Sequence, residues 1–185
     1  MDLFKNIFKP KKGSSSILLS ISNILSIQNV SHDIIIENQG AILLKSSEIV
    51  SGIDFDNKIR QHINQEDIQG LSELKFINDE HDIKWLVLRT KTTTQLINSI
   101  DVISNFIASL NAGDSMIGAV FISNFKEHKS YIICNYRTSK FYPFIPDSKK
   151  SRNNELEIDL GHQLELNGVP VEDHENWYAL WDAVI

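Results

Sequence analysis

The chain has 185 residues, 42% of them hydrophobic, and carries a net charge of -6. That length supports one domain that buries roughly 70% of its unfolded surface without a metal or disulfide. The acidic balance argues against general nucleic-acid binding, and the single cysteine, Cys134, excludes an internal disulfide and any multi-cysteine zinc site.

At the N-terminus, Leu3, Phe4, Ile7 and Phe8 share one helical face beside Lys5. Lys9 and Pro10 end this pattern, and Lys11, Lys12 and Gly13 open a basic, serine-rich linker. The segment reads either as a short amphipathic anchor on an anionic membrane surface or as an arm docked on the body. Residues 1–15 are assigned to this arm and linker, and 16–185 to a single α+β domain.

A helix capped by Ser16 is expected next, with Ile17, Leu18, Ile21, Ile24 and Leu25 on its apolar stripe. Ile34 to Ile36 and Ala41 to Leu44 read as two strands around a hairpin at Glu37-Asn-Gln-Gly40. Phe55, Ile59 and Ile63 recur every four residues and predict a helix over 54–65. Strands are expected at Leu74–Ile77 and Ile83–Arg89, the second a central one, flanking a turn at Asn78-Asp-Glu-His81.

The strongest helical pattern runs from Thr94 to Asn111, with Leu96, Ile97, Ile100, Ile103, Phe106, Ile107 and Leu110 on one stripe. Threonines 92 to 94 offer the N-cap and Gly113 the C-cap. Two strands follow, Ile117–Ser123 and Ser130–Arg137, joined by a polar loop through Lys126-Glu-His-Lys129. Phe141 to Phe144 is expected on the sheet edge, because Pro143 cannot donate to a ladder. Leu156–Ile158 would extend the sheet, and Trp177–Trp181 would form a short capping helix or turn. The sum is an α+β fold, a mainly antiparallel sheet with a long helix packed on one face.

No run of about 18 apolar residues is present, and polar residues interrupt Ser16 to Ile27, so neither a membrane span nor a secretory signal is expected. The chain reads as cytoplasmic, with peripheral contact at the inner membrane face if the arm binds lipid. Charge is unevenly placed. Lys126, Lys129, Arg137, Lys140, Lys149, Lys150 and Arg152 form a basic zone, whereas no Lys or Arg occurs after Arg152. The acidic tail is expected to fold back over that zone.

The six histidines show no metal-ligand spacing, and the eight glycines form no phosphate-binding loop, so no metal or cofactor is expected. Glu155 and Glu157 would share one strand face continued by Asp159, either as an acid-base pair or as an exposed face. Asn135, Arg137, Tyr142 and Arg152 would meet near one strand end, to anchor an acidic partner or to pair internally with Glu155 or Glu157. Trp177, Tyr178, Leu180 and Trp181 would be a binding patch if exposed and a core seal if not.

These residues carry a resemblance. Trp85-Leu-Val-Leu-Arg89, the long helix through Ile100, Phe141-Tyr-Pro-Phe-Ile-Pro146, Arg152-Asn-Asn-Glu-Leu156, and the ending from Val169-Pro-Val-Glu172 to Trp177-Tyr-Ala-Leu-Trp181 resemble the PspA-associated PspAB family over about residues 16 to 185. The resemblance implies a non-enzymatic companion of PspA, a coiled-coil protein that assembles on stressed membranes. The order of elements is also similar to the secretion-chaperone and YbjN-like fold, usually a dimeric module that holds another protein's segment. The expected partner is therefore a PspA-like protein, with a homodimer and weak anionic-membrane contact as further expectations. Tyr136, Arg137, Phe141, Tyr142, Phe144 and Arg152 are the expected contact surface. A peptide-holding chaperone unrelated to PspA is the alternative, and a hydrolase built on Glu155, Glu157 and a histidine is a third.

Overall fold

Two periodicities divide the chain: alternation that sends side chains to both faces of a sheet, and 3-4 spacing that gives helices one apolar stripe. In the computed structural model the described residues are 25, 33–49, 54–66, 68–148, 150–181 and 183–185. The expected arm, Leu3 to Lys12, and the helix from Ser16 lie outside them, except that Leu25 is helical and packs half-buried against the core.

The main sheet is built from β1 (Ile34–Lys45), β2 (Leu71–Asn78), β3 (Ile83–Thr90), β4 (Met116–Phe125), β5 (His128–Asn135) and β6 (Lys140–Phe144). Its order is β2-β3-β1-β4-β5-β6, and every neighbouring pair is antiparallel. The helices are α1 (Phe55–Gln65), α2 (Thr93–Ile107) and α3 (Asn154–Leu166), and β7 (Pro146–Ser148) pairs with β8 (Ser151–Arg152) in a small ribbon. This is the α+β, antiparallel arrangement that the sequence predicts.

Asp54 caps α1 by accepting the Asn57 N–H at 3.4 Å, and Phe55 and Ile59 are buried. Thr92 caps α2 by accepting from Gln95 N–H at 3.3 Å. Leu96, Ile97, Ile100, Ile103 and Ile107 of α2 are buried against the sheet, each contributing roughly 1.5–3 kcal/mol. His62 of α1 stacks on Phe106 of α2 with ring centroids 3.8 Å apart.

Several local expectations are corrected. Ile34 to Leu44 forms no hairpin; it is one strand carrying an irregularity between Ile36 and Gly40. Both halves pair with β4, while Asn38 Nδ2 donates to Thr90 O at 2.7 Å and Asn124 Nδ2 to Glu37 Oε1 at 3.0 Å. Gly40 serves close approach, since a Cβ there would lie 2.6 Å from Val120 O. At the end of α2, Asn111 takes the left-handed conformation (φ 58, ψ 25), whereas Gly113 stays helical. The loop between β4 and β5 tightens to two residues, Lys126 and Glu127, both with positive φ, as right-handed strand twist favours.

Leu156–Ile158 is helical, not a strand. Asn153 accepts from Leu156 N–H at 3.1 Å, Glu155 and Glu157 occupy the favourable first turn, and Leu156, Leu160 and Leu164 fall at helical spacing toward the core. The terminal tryptophans are not helical either. One tight turn spans His174–Asn176, after which Trp177 is extended.

β6 is one of the two edge strands of the sheet, yet its outer side is occupied. Phe141 N–H donates to Pro170 O and Glu172 N–H donates to Phe141 O, both at 2.8 Å, with Val171 bridged in parallel. The helices cover one face of the sheet. The other face (Leu43, Trp85, Val87, Val120, Ile122, Ile133 and their neighbours) is packed by Trp177, Ala179, Leu180, Ala183 and Ile185. No helix among the described residues is long and apolar enough to cross a membrane.

Candidate functional site

The two-residue strand period distributes the expected aromatic edge over both faces of the sheet. Phe141 is buried on the helix side, whereas Tyr142 and Phe144 are buried on the opposite side. Tyr136 is half-buried, and its hydroxyl lies 2.6 Å from Ser104 Oγ on α2. Burial pushes that phenol's pKa well above its usual value. Arg137 is exposed in the β5–β6 turn, where its N–H donates to Asn135 Oδ1 at 3.0 Å.

Arg137 and Arg152 do not converge. Arg137 belongs to the turn before Lys140, while Arg152 sits at the other end of β6, its guanidinium carbon 5.6 Å from the Phe144 ring centre. Arg152 instead grips Glu157: Nε and Nη2 each lie 2.7 Å from Oε2. Glu157 is 0% exposed and also accepts the Ile145 N–H at 2.8 Å. Arg152 Nη1 donates to Trp177 O at 3.0 Å, so one side chain ties α3, the end of β6 and the terminal segment together.

The Glu155–Glu157 face does not form. Two steps along a helix rotate by about 200°, so Glu155 is exposed while Glu157 is buried with its arginine. The acidic C-terminal third does fold back on the basic zone: Lys126 Nζ lies 2.6 Å from Asp159 Oδ2, and Lys129 Nζ donates to Ile185 O at 3.3 Å.

Glu172 is a second buried acid, which the sequence placed only within the acidic tail. It accepts from Asn135 Nδ2 at 3.1 Å and from Thr138 Oγ1. Its one sequence signal is the Val169-Pro-Val-Glu172 run, where Pro170 favours an extended backbone before the acid. Burial, and then this carboxylate, push the Cys134 thiol far above its ordinary pKa, so it is no poised nucleophile. Burial likewise raises the Tyr142 hydroxyl, with Tyr178 and Glu172 adding to the shift.

The terminal aromatics divide. Trp177 packs inward against Gly161, and its Nε1 donates to Glu172 O at 2.8 Å. Tyr178 and Trp181 point outward at 48% and 37% exposure. Each rests edge-on against a buried ring: Tyr178 against Tyr142 at 6.5 Å, and Trp181 against Phe144 at 5.1 Å between centroids. Two large exposed rings thus stand on a rigid aromatic floor stacked by Arg152.

No curated protein and no solved structure matches the chain. The family model described as PspA associated protein B matches residues 1–185, which include the aromatic β6, the Arg152-to-Leu156 cap and the tryptophan-bearing end described above. The chain belongs to the PspAB family, the PspA-associated proteins B.

Proposed function

We propose that this chain is a non-enzymatic interaction module that binds a PspA-type coiled-coil partner and modulates its response to membrane stress. Family membership supports the partner. The observation that carries the binding mode is the outward pair Tyr178 and Trp181, seated on buried Tyr142 and Phe144. Aromatic side chains held from below lose little freedom on binding, which is the property of residues that dominate protein interfaces.

In this reading Arg152 fixes the tail that bears the pair, and Arg137 offers an exposed cation in the β5–β6 turn. Tyr136 of the β5–β6 turn and Phe141 of β6 pack on the helix side. The basic arm with Leu3, Phe4, Ile7 and Phe8 adds weak, reversible attraction to anionic lipid.

The test is retention of PspA from the source cell's extract by the immobilised chain. Replacing Tyr178→Ala and Trp181→Ala together is expected to lower retention roughly 30-fold, with circular dichroism melts to check that the variant stays folded, since each ring also packs on a buried neighbour. Equal retention by this variant would remove the aromatic pair from the contact. Recovery of assorted unfolded clients without PspA would favour the peptide-holding reading instead. Deleting residues 1–12 is expected to reduce sedimentation with anionic vesicles, and unchanged sedimentation would remove the lipid role.

A further inference from the structure

The two ends of the sheet are treated differently. Residues 170–172 occupy the outer side of β6, whereas among the described residues nothing pairs with the outer edge of β2. β2 is eight residues long and contains no proline. Its defences against pairing are an irregularity between Leu71 and Glu73 and one lysine, Lys75. An open groove of about 260 Å³ runs beside it, lined by Arg60, Ile63 and Asn64 of α1 and by 71–74 of β2.

We infer that this edge pairs with a second copy of the chain, β2 against β2 antiparallel about a two-fold axis at Leu74. The charges on the strand carry the inference. Glu73 and Lys75 lie two residues apart on the sheet face away from the helices, and their side chains meet at 2.6 Å. With Leu74 opposite Leu74 of the second copy, each Glu73 faces a Lys75, giving two opposite-charge cross-strand pairs.

Sliding the register by two residues in either sense sets Glu73 against Glu73, or Lys75 against Lys75. A slip by one residue turns the apolar face the wrong way. One register is therefore selected, and in it Leu74 of the second copy approaches the groove beside Ile63 and Leu71. The pairing joins two six-stranded sheets into one of twelve strands. A short strand-edge interface of this kind is small, so association in the micromolar range is expected. Because Tyr178 and Trp181 lie over β6, the two patches would stand at opposite ends of that sheet, roughly 50 Å apart; this last consequence rests on the proposed partner surface.

Sedimentation velocity of the full chain across micromolar concentrations tests the pairing without any partner protein. Lys75→Glu alone, or Glu73→Lys alone, is expected to weaken self-association about tenfold, and the two together to restore most of it. Both side chains are at the surface, and circular dichroism melts check that each variant folds. Leu74→Cys is expected to form an intermolecular disulfide on mild oxidation, since directly opposed residues lie within disulfide reach. A chain that stays monomeric throughout overturns the inference. So does a dimer that neither charge reversal weakens, or one that Leu74→Cys fails to cross-link.

Discussion

Arg152 and Glu157 form a two-point ion pair, each contact 2.7 Å long, in which the carboxylate is wholly buried and the arginine also reaches Trp177 O. Removing one partner leaves a buried charge or polar group exposed to no solvent. Arg152→Ala is expected to destabilise by ~3–5 kcal/mol in denaturant melts. Replacing both, Arg152→Met with Glu157→Leu, should recover much of that loss. It should stop short of wild type by ~1–3 kcal/mol, because the Ile145 N–H loses its acceptor.

The Tyr136 hydroxyl and Ser104 Oγ, 2.6 Å apart, tie the start of the β5–β6 turn to α2. Ser104→Ala or Tyr136→Phe alone strands the remaining hydroxyl, an expected loss of ~1–3 kcal/mol. The double variant should cost less than the sum of the singles. Strict additivity in a thermodynamic cycle would show that the two groups do not interact.

Cys134 is fully buried, and its thiol is held far above the usual pKa by burial and then by Glu172. A thiol reagent should therefore leave the native protein unmodified at neutral pH and label one site per chain only after unfolding. Rapid native labelling would mean that the helix-side core opens readily.

Asp79 organises the β2–β3 turn. Burial acts to raise its pKa, but the Trp85 indole and the N–H groups of Ile83 and His81 outweigh it and hold the carboxyl below its usual value. A carboxylate with a lowered folded pKa contributes stability above its unfolded pKa, and that contribution is lost as pH falls through the folded value. Wild type should melt above Asp79→Asn at pH 7, and the gap should close as pH falls through the lowered folded pKa of the carboxyl. A gap independent of pH would assign the effect to packing alone.

Glu127 holds φ at +69° in the two-residue β4–β5 turn. A side chain there costs ~1–2 kcal/mol relative to glycine. Glu127→Gly is expected to raise stability by about 1 kcal/mol, read as a higher denaturation midpoint with an unchanged slope.

How much was legible in the sequence depended on how local the signal was. The stripe of Leu96, Ile97, Ile100 and Ile103 and the spacing of Phe55 and Ile59 announce α2 and α1, because 3-4 periodicity is written within one element. Leu156 to Ile158 misled, since three alternating residues fit a strand, while the deciding facts were the Asn153 cap and the more distant Leu160 and Leu164. The expected hairpin at Glu37 failed for a related reason: both halves of β1 found their partner in β4, some 80 residues on.

The family signature, the α+β class and the main helices follow from residue order alone, because each is encoded in short-range pattern. Only the tertiary structure decided which aromatics face solvent, since strand parity sent Phe141 one way and Tyr142 and Phe144 the other, and the tail then covered the latter pair. Likewise, only packing decided between the two roles open to Arg152, setting it on Glu157, and closed one sheet edge with 170–172 while, among the described residues, nothing pairs with the outer edge of β2. Those outcomes depend on which groups meet after collapse: even Arg152 and Glu157, near in sequence, are set in place by Ile145 and Trp177, which lie outside any short window around them.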